Sequence, residues 1–307
     1  MDTHFASCYH QFRRSRGVRV KARAVVEQTM KGAFFTCGMI TIVIVFAIAG
    51  YMIVSGLPAI LEIGLWDFLF GQVWRSTGPD PQFGILPFIL TSIVGTLGAA
   101  AIGVPVGLMT AIFLAKIAPP KVAAVVNTAV ELLAGIPSVV YGFVGMIVLV
   151  PAVMRIFGLQ SGATLFSAII VLSVMILPSI INVSRTALAA VPREFEEASL
   201  ALGATKVETI FKVSVPAARS GIAAGIVLGI GRAIGEAMAV ILVAGNIANM
   251  PGLFRGVRFL TTAIAQELSY AAGLQRQALF SIALVLFVFI FIINLFLSLA
   301  LKRGGNK

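Results

Sequence analysis

An all-helical integral membrane protein with six transmembrane helices is the fold this sequence predicts, on three observations. Apolar residues make up 59% of the 307 and charged residues 11%, against about half and about a quarter in a soluble domain; mean hydropathy is +1.02. The apolar residues fall in six runs, each long enough for a helix to cross a bilayer, which takes about 20 residues. Basic residues collect in the connections on one side of those runs, as the positive-inside rule expects. Hydrocarbon, rather than water, is then the solvent for most of this surface.

The chain opens on a basic stretch carrying Arg13, Arg14, Arg16, Arg19, Lys21, Arg23 and Lys31. Residues 1–32 are expected to form a cytoplasmic arm. Anchoring against anionic lipid explains it, and the formal charge of +11, better than nucleic-acid binding does. Ala47-Ile48-Ala49 looks like a signal cleavage site, but the apolar run continues to Gly56, so a retained first span is expected at Ala33–Gly56. An external loop completes the region 33–84. The other spans are expected at Ile85–Ala115, Val122–Val153, Ala163–Val183, Gly221–Ala244 and Ala278–Leu301, within a core of 85–301, and 302–307 forms a cytoplasmic tail. The second and third runs exceed one straight crossing. Pro105 interrupts one and Ile136-Pro137-Ser138 the other, and each proline favours a kink or break at the residue before it. Of the 23 basic residues only Arg75, Arg155, Arg255, Arg258 and Arg276 fall on the far side, with Arg232 inside a span. Both termini are therefore expected in the cytoplasm.

Several function classes drop out. The two cysteines, Cys8 and Cys37, cannot build a disulfide framework and have no partner set for zinc, and the two histidines, His4 and His10, both lie in the basic arm. No H-E-x-x-H, G-x-S-x-G or G-x-x-x-x-G-K-[ST] motif occurs, so no catalytic residue and no metal ligand is assigned. Any energy from ATP must come from another chain.

The segment 184–220, between the fourth and fifth spans, is long and polar. Pro192 suits the first turn of a helix, and Glu194, Glu196 and Glu197 follow where the positive helix end favours acids. Gly203 can supply the left-handed conformation that ends this helix. A second amphipathic helix is expected from about Lys206 to Val213, stopping before Pro216. Glu197-Ala198-Ser199, three residues, Gly203, nine residues, then Val213-x-Val215-Pro216 resembles the EAA loop of ABC importer permeases. That resemblance implies a coupling helix seated in a separate ATPase subunit. Glu197 and Ala198 would lie on the docking helix, Gly203 at its sharp turn and Pro216 at the return to the membrane.

Beyond the loop, Gly221, Gly225, Gly229, Ala233 and Ala237 recur every four residues, and Gly95, Ala99, Gly103 and Gly107 do the same in the second span. Such small-residue ridges let another helix approach closely. Arg232 and Glu236, also four apart, share a helix face and can pair. Charge inside a bilayer is costly, so the two must face protein or a water-lined path. A structural ion pair is one reading. The other is an anion-handling site, where the forked arginine suits phosphate oxygens and the glutamate tempers its grip.

Glu131-Leu132-Leu133-Ala134-Gly135-Ile136-Pro137-Ser138-Val139-Val140-Tyr141-Gly142 and Gly229-Ile230-Gly231-Arg232-Ala233-Ile234-Gly235-Glu236-Ala237-Met238-Ala239-Val240 resemble the PstC-type permeases of phosphate-specific transport, as do Phe83-Gly84-Ile85-Leu86-Pro87 and Val191-Pro192-Arg193-Glu194. The likeness runs from about Ala33 to Arg303. It implies a type I (MetI-like) ABC importer permease in the bacterial cytoplasmic membrane, with Arg232 and Glu236 along the phosphate route. The implied partners are a PstA-type second permease, PstB-type ATPase subunits and a PstS-type phosphate-binding protein. ATP and magnesium would be used by the ATPase, and no cofactor is expected on this chain. A sulfate or molybdate permease would share the loop; a channel or secondary transporter would not need it.

Overall fold

The computed structural model describes residues 27–295 in full and follows the backbone of the two terminal helices from Thr3 and to Gly305. Most of the basic arm and the tail 302–307 lie outside the fully described residues. Among the described residues five helices are long and apolar enough to cross a membrane, or six when one bent pair counts as a span. The chain divides into two compact units, Met1–Val54 and Ser55–Lys307. The first unit is helix α1 (Thr3–Ile63) as far as Val54, with Phe34, Phe35 and Phe46 exposed along it. Lys31 pairs with Glu27 one turn away, at 2.7 Å.

The second unit begins with the last turns of α1 and runs through a short helix, α2 (Leu65–Phe70), into a two-stranded hairpin. Its strands, β1 (Trp74–Arg75) and β2 (Gln82–Phe83), are antiparallel, with Trp74 opposite Phe83. The region expected as an external loop is thus an ordered cap. Helix α3 (Leu86–Ile112) follows, prolonged by a π turn, Phe113–Ile117. Pro105 lies within α3 without ending it.

The third expected span is not one rod. It divides into α4 (Pro120–Gly135) and a helix that starts again at Ser138, because Ile136 and Pro137 are extended, with ψ of 127° and 141°. Only the second part, α5 (Ser138–Val144), a π turn and α6 (Val150–Phe157), meets the length and apolarity of a membrane span. Tyr141 closes the gap: its hydroxyl donates to the Leu133 carbonyl at 2.6 Å.

Helix α7 (Leu165–Ala189) is the axis of this unit and buries most of its length. Both small-residue ridges lie against it. A methyl group added at Gly103 or Gly107 of α3 would meet Ile176 or Ile180 within 3 Å, and one added at Gly221 would lie 2.3 Å from the Ala187 Cβ. Backbones approach here because nothing larger intervenes. α7 runs past its expected end at Val183, so the polar segment starts at about Ala190 instead of Ser184.

That segment holds α8 (Arg193–Ala201), α9 (Lys206–Thr209), a π turn at Ile210–Ser214 and α10 (Val215–Ala217). The second helix does not stop before Pro216 as expected. Proline has no N–H and its ring clashes with the carbonyl four residues back; the wider π turn, where Val215 N–H reaches the Ile210 carbonyl, removes that conflict. The other two π turns also run into prolines, Pro119 and Pro151. The chain then bends by 71° into α11 (Arg219–Gly235).

The fifth span is broken as well. α11 ends at Gly235, Glu236 is extended, and α12 (Met238–Val243) begins anew. Two further helices, α13 (Leu260–Glu267) and α14 (Gly273–Gly305), complete the chain. On the side of the hairpin, Glu267 is almost fully buried and accepts from Arg258 (2.5 Å), Trp74 (3.2 Å) and Gln275 (2.9 Å). This carboxylate ties hairpin, loop, α13 and α14 together.

Candidate functional site

Two of the sequence motifs that carry the family likeness, 131–142 and 229–240, meet in space. A Cβ at Gly142, on α5, would lie 2.7 Å from the Ala239 Cα and carbonyl oxygen of α12. Each helix of this pair starts just after a break, at Ile136-Pro137 and at Glu236-Ala237. Breaks inside a membrane free backbone polar groups, and these are tolerated only within protein or along an aqueous cavity.

Glu236 is used at its break. Its Oε1 accepts from the Ala239 N–H at 3.0 Å, and its carbonyl accepts from the Thr261 hydroxyl at 2.8 Å. The side chain thereby satisfies a donor that the start of α12 would leave unpaired. This corrects the expected pairing with Arg232. The spacing of four places both on one face only while the helix continues, and it stops at Gly235. Among the described residues no ion pair forms between them, and Arg232 has no carboxylate partner.

Arg232 instead lines a cavity of about 660 Å³ with Ser179 of α7, Asn294 of α14 and Ala224, Val227 and Leu228 of α11. Three helices thus bring one cation and two neutral hydrogen-bonding side chains to a common space otherwise apolar. Asn294 is exposed there. Against hydrocarbon an amide would be costly, so an aqueous or protein-lined setting fits it better. The sequence reading missed Ser179 and Asn294. Asn294 had a signal, being the one amide in the final apolar run; Ser179 had none, since small hydroxyl residues are common in membrane helices.

The second place of interest is the elbow formed by α8 to α10. Gly203 sits at φ +87°, the left-handed region, with open space around it. Its N–H donates to the Leu200 carbonyl and the Ala204 N–H to the Ser199 carbonyl, a Schellman ending of α8. Thr205 and Glu208 then form a capping box on α9. Backbone and side-chain hydrogen bonds from Thr205, with one from Lys212, hold the Glu208 carboxyl down to about 2. Glu197, Ala198 and Pro216 are exposed, and so are Phe195, Leu200, Val207 and Leu202, the last at 90%. On the inner side Val191, Ile210 and Ala218 pack with Ala111, Ile112, Leu188 and Ile222. A polar, charged segment that presents apolar side chains outward has the character of a docking surface.

Residues 103–303 match the family described as binding-protein-dependent transport system inner membrane component. The chain is 41% identical to the probable ABC transporter permease protein YqgH of Bacillus subtilis, over 87% of this chain and 88% of that one. It is 35% identical to the phosphate transport system permease protein PstC of Pasteurella multocida, over 85% and 91% respectively. In fold it is similar to the MetNI methionine ABC transporter in an inward-facing conformation, with TM-score 0.58 at 20% identity, over 72% of this chain and 95% of that one. A bacterial alginate ABC transporter in complex with its pentasaccharide-bound periplasmic protein gives TM-score 0.52 at 17% identity, over 86% and 94%.

Proposed function

Because the chain belongs to the family of binding-protein-dependent transport system inner membrane components, a multi-pass permease subunit of an ABC importer rather than a catalytic chain, we propose that its cargo is inorganic phosphate. The observation that carries this reading is Arg232, free of any carboxylate partner among the described residues and facing a cavity with Ser179 and Asn294. A guanidinium fork with two neutral donors suits a tetrahedral oxyanion, and a single cation leaves binding weak enough for release. Glu236 acts beside it by holding the break open instead of neutralising the arginine. The PstC relative, a phosphate transport permease by name, supports the same choice.

In this reading the elbow faces the cytoplasm, as do both termini. Glu197, Ala198, Gly203 and Pro216 form or shape the contact with a PstB-type ATPase, which binds the ATP and magnesium. A PstA-type permease completes the pathway and a PstS-type receptor delivers phosphate from outside. Uptake of radiolabelled phosphate into vesicles holding the whole complex tests it. Uptake is expected only with ATP and is not displaced by excess sulfate or molybdate. Displacement by either would assign a different oxyanion; uptake indifferent to ATP would point to a channel or secondary transporter.

A further inference from the structure

Resting on the reading of the elbow as the ATPase contact, we infer that Lys116 and Glu196 form a strap through which the elbow moves the second span. Lys116 lies in the last turn of the π segment that prolongs α3, and Glu196 is the half-buried acid of α8. The Lys116 Nζ stands 2.5 Å from the Glu196 Oε1, with the two side chains 12% and 24% exposed. The Ser214 hydroxyl, on the π turn before α10, donates to the same oxygen at 2.7 Å. One carboxylate oxygen therefore gathers the end of a membrane span and both arms of the elbow.

The arms are themselves joined, by Ser199 and Thr209 hydroxyls 3.0 Å apart. The elbow also packs on the spans through apolar contacts of Val191, Ile210 and Ala218. Apolar packing is non-directional and tolerates sliding; a short, half-buried ion pair with a third hydrogen bond does not. Burial alone would push the Glu196 carboxyl up. Hydrogen bonds from Lys116 and Ser214, with the charges of Lys116 and Arg193, outweigh that and hold it below the usual carboxylate range. The strap is therefore charged at neutral pH. Glu194 and Glu197, its neighbours on α8, are exposed and make no ion pair among the described residues. A pull on α8 thus passes to α3, and from α3 through Gly103 and Gly107 to α7.

The test uses the whole complex, purified with its ATPase and reconstituted in vesicles, carrying Lys116→Met, Glu196→Gln or the exchange of both charges (K116E with E196K). ATPase co-purification, ATP turnover and radiolabelled phosphate imported per ATP are measured together. The single variants are expected to keep the ATPase and its turnover while import per ATP falls about fivefold, within the range of coupled neighbours. The exchange is expected to recover roughly half of the loss, since it restores an ion pair in reversed polarity. Single variants with parental import per ATP, or an exchange no better than the singles, would overturn the strap. Where a single variant fails to assemble, recovery in the exchange supports the strap and failure there overturns it. A parent complex lacking the ATPase would overturn the docking reading and the strap with it. A parent that hydrolyses ATP without importing phosphate would overturn the cargo alone. The strap is then read from maleimide labelling of Met109→Cys on α3, in a chain with Cys8→Ser and Cys37→Ser: its ATP-dependent change should vanish in the singles and return in the exchange, and persistence in the singles refutes it.

Discussion

Arg232 and Gly203 show how much one residue can decide. A hydrogen bond to a charged group contributes about 1.5–3 kcal/mol. Replacing Arg232 with Gln removes the charge and the fork but keeps a donor in the cavity. Phosphate uptake by an assembled complex is expected to fall by about tenfold or more on that scale. Uptake at the parental rate would leave Arg232 without a part in transport. Gly203 tests a different property. At φ +87° it adopts a conformation closed to proline, whose φ is fixed near −65°, and its N–H closes the end of α8. Gly203→Pro should leave membrane insertion intact and end co-purification of the ATPase. The glycine was legible in the sequence because turn geometry is local. Arg232 was legible as a charge inside a span, but its separation from Glu236 was not: the Glu236 carbonyl at the break accepts from the Thr261 hydroxyl, twenty-five positions on, and the spacing of four could not announce it.

At the scale of elements, the small-residue ridges were visible as periodicity, and the structure adds that both press on the same helix. Gly221→Val would force a branched side chain into a space where a Cβ already comes within 2.3 Å of Ala187. Such overpacking costs about 1–3 kcal/mol, measurable as a lower melting temperature of the purified chain in detergent. Gly231→Ala, on the same helix with nothing within 4 Å, should leave that temperature unchanged or raise it. The elbow has its own pH signature. The Glu208 carboxyl falls from 4.5 to about 2 on folding, so its stabilisation is complete above about 4.5 and is lost as pH drops toward 2. Amide hydrogen exchange over 205–209, corrected for intrinsic rates, should show full protection at pH 5 and weaker protection at pH 3. Equal protection at both would mean that Thr205 alone holds the cap. Helix ends and breaks were the least readable elements. Pro105, Pro137 and Pro216 look alike in sequence, yet one is absorbed, one breaks its helix and one follows a π turn. The difference lies in neighbours, such as the Tyr141 hydroxyl at the Leu133 carbonyl, which no local window contains.

For the whole molecule, hydropathy alone determines a helical membrane protein, because the solvent acts on every residue in the same way. Long-range polar pairs escape it. Trp74 and Glu267 lie 193 positions apart, and nothing in either neighbourhood marks the other. Their meeting has an optical consequence. The chain has two tryptophans. Trp66 is 72% exposed and stacks on Phe70 at 5.3 Å, whereas Trp74 is 9% exposed with its indole N–H on a carboxylate. The emission of a Trp66→Phe protein should therefore come from Trp74 alone, resist quenching by iodide, and shift in colour whenever the hairpin loosens from its acid. The molecule carries a built-in dye beside this hairpin, able to report that rearrangement during a transport cycle without any attached label.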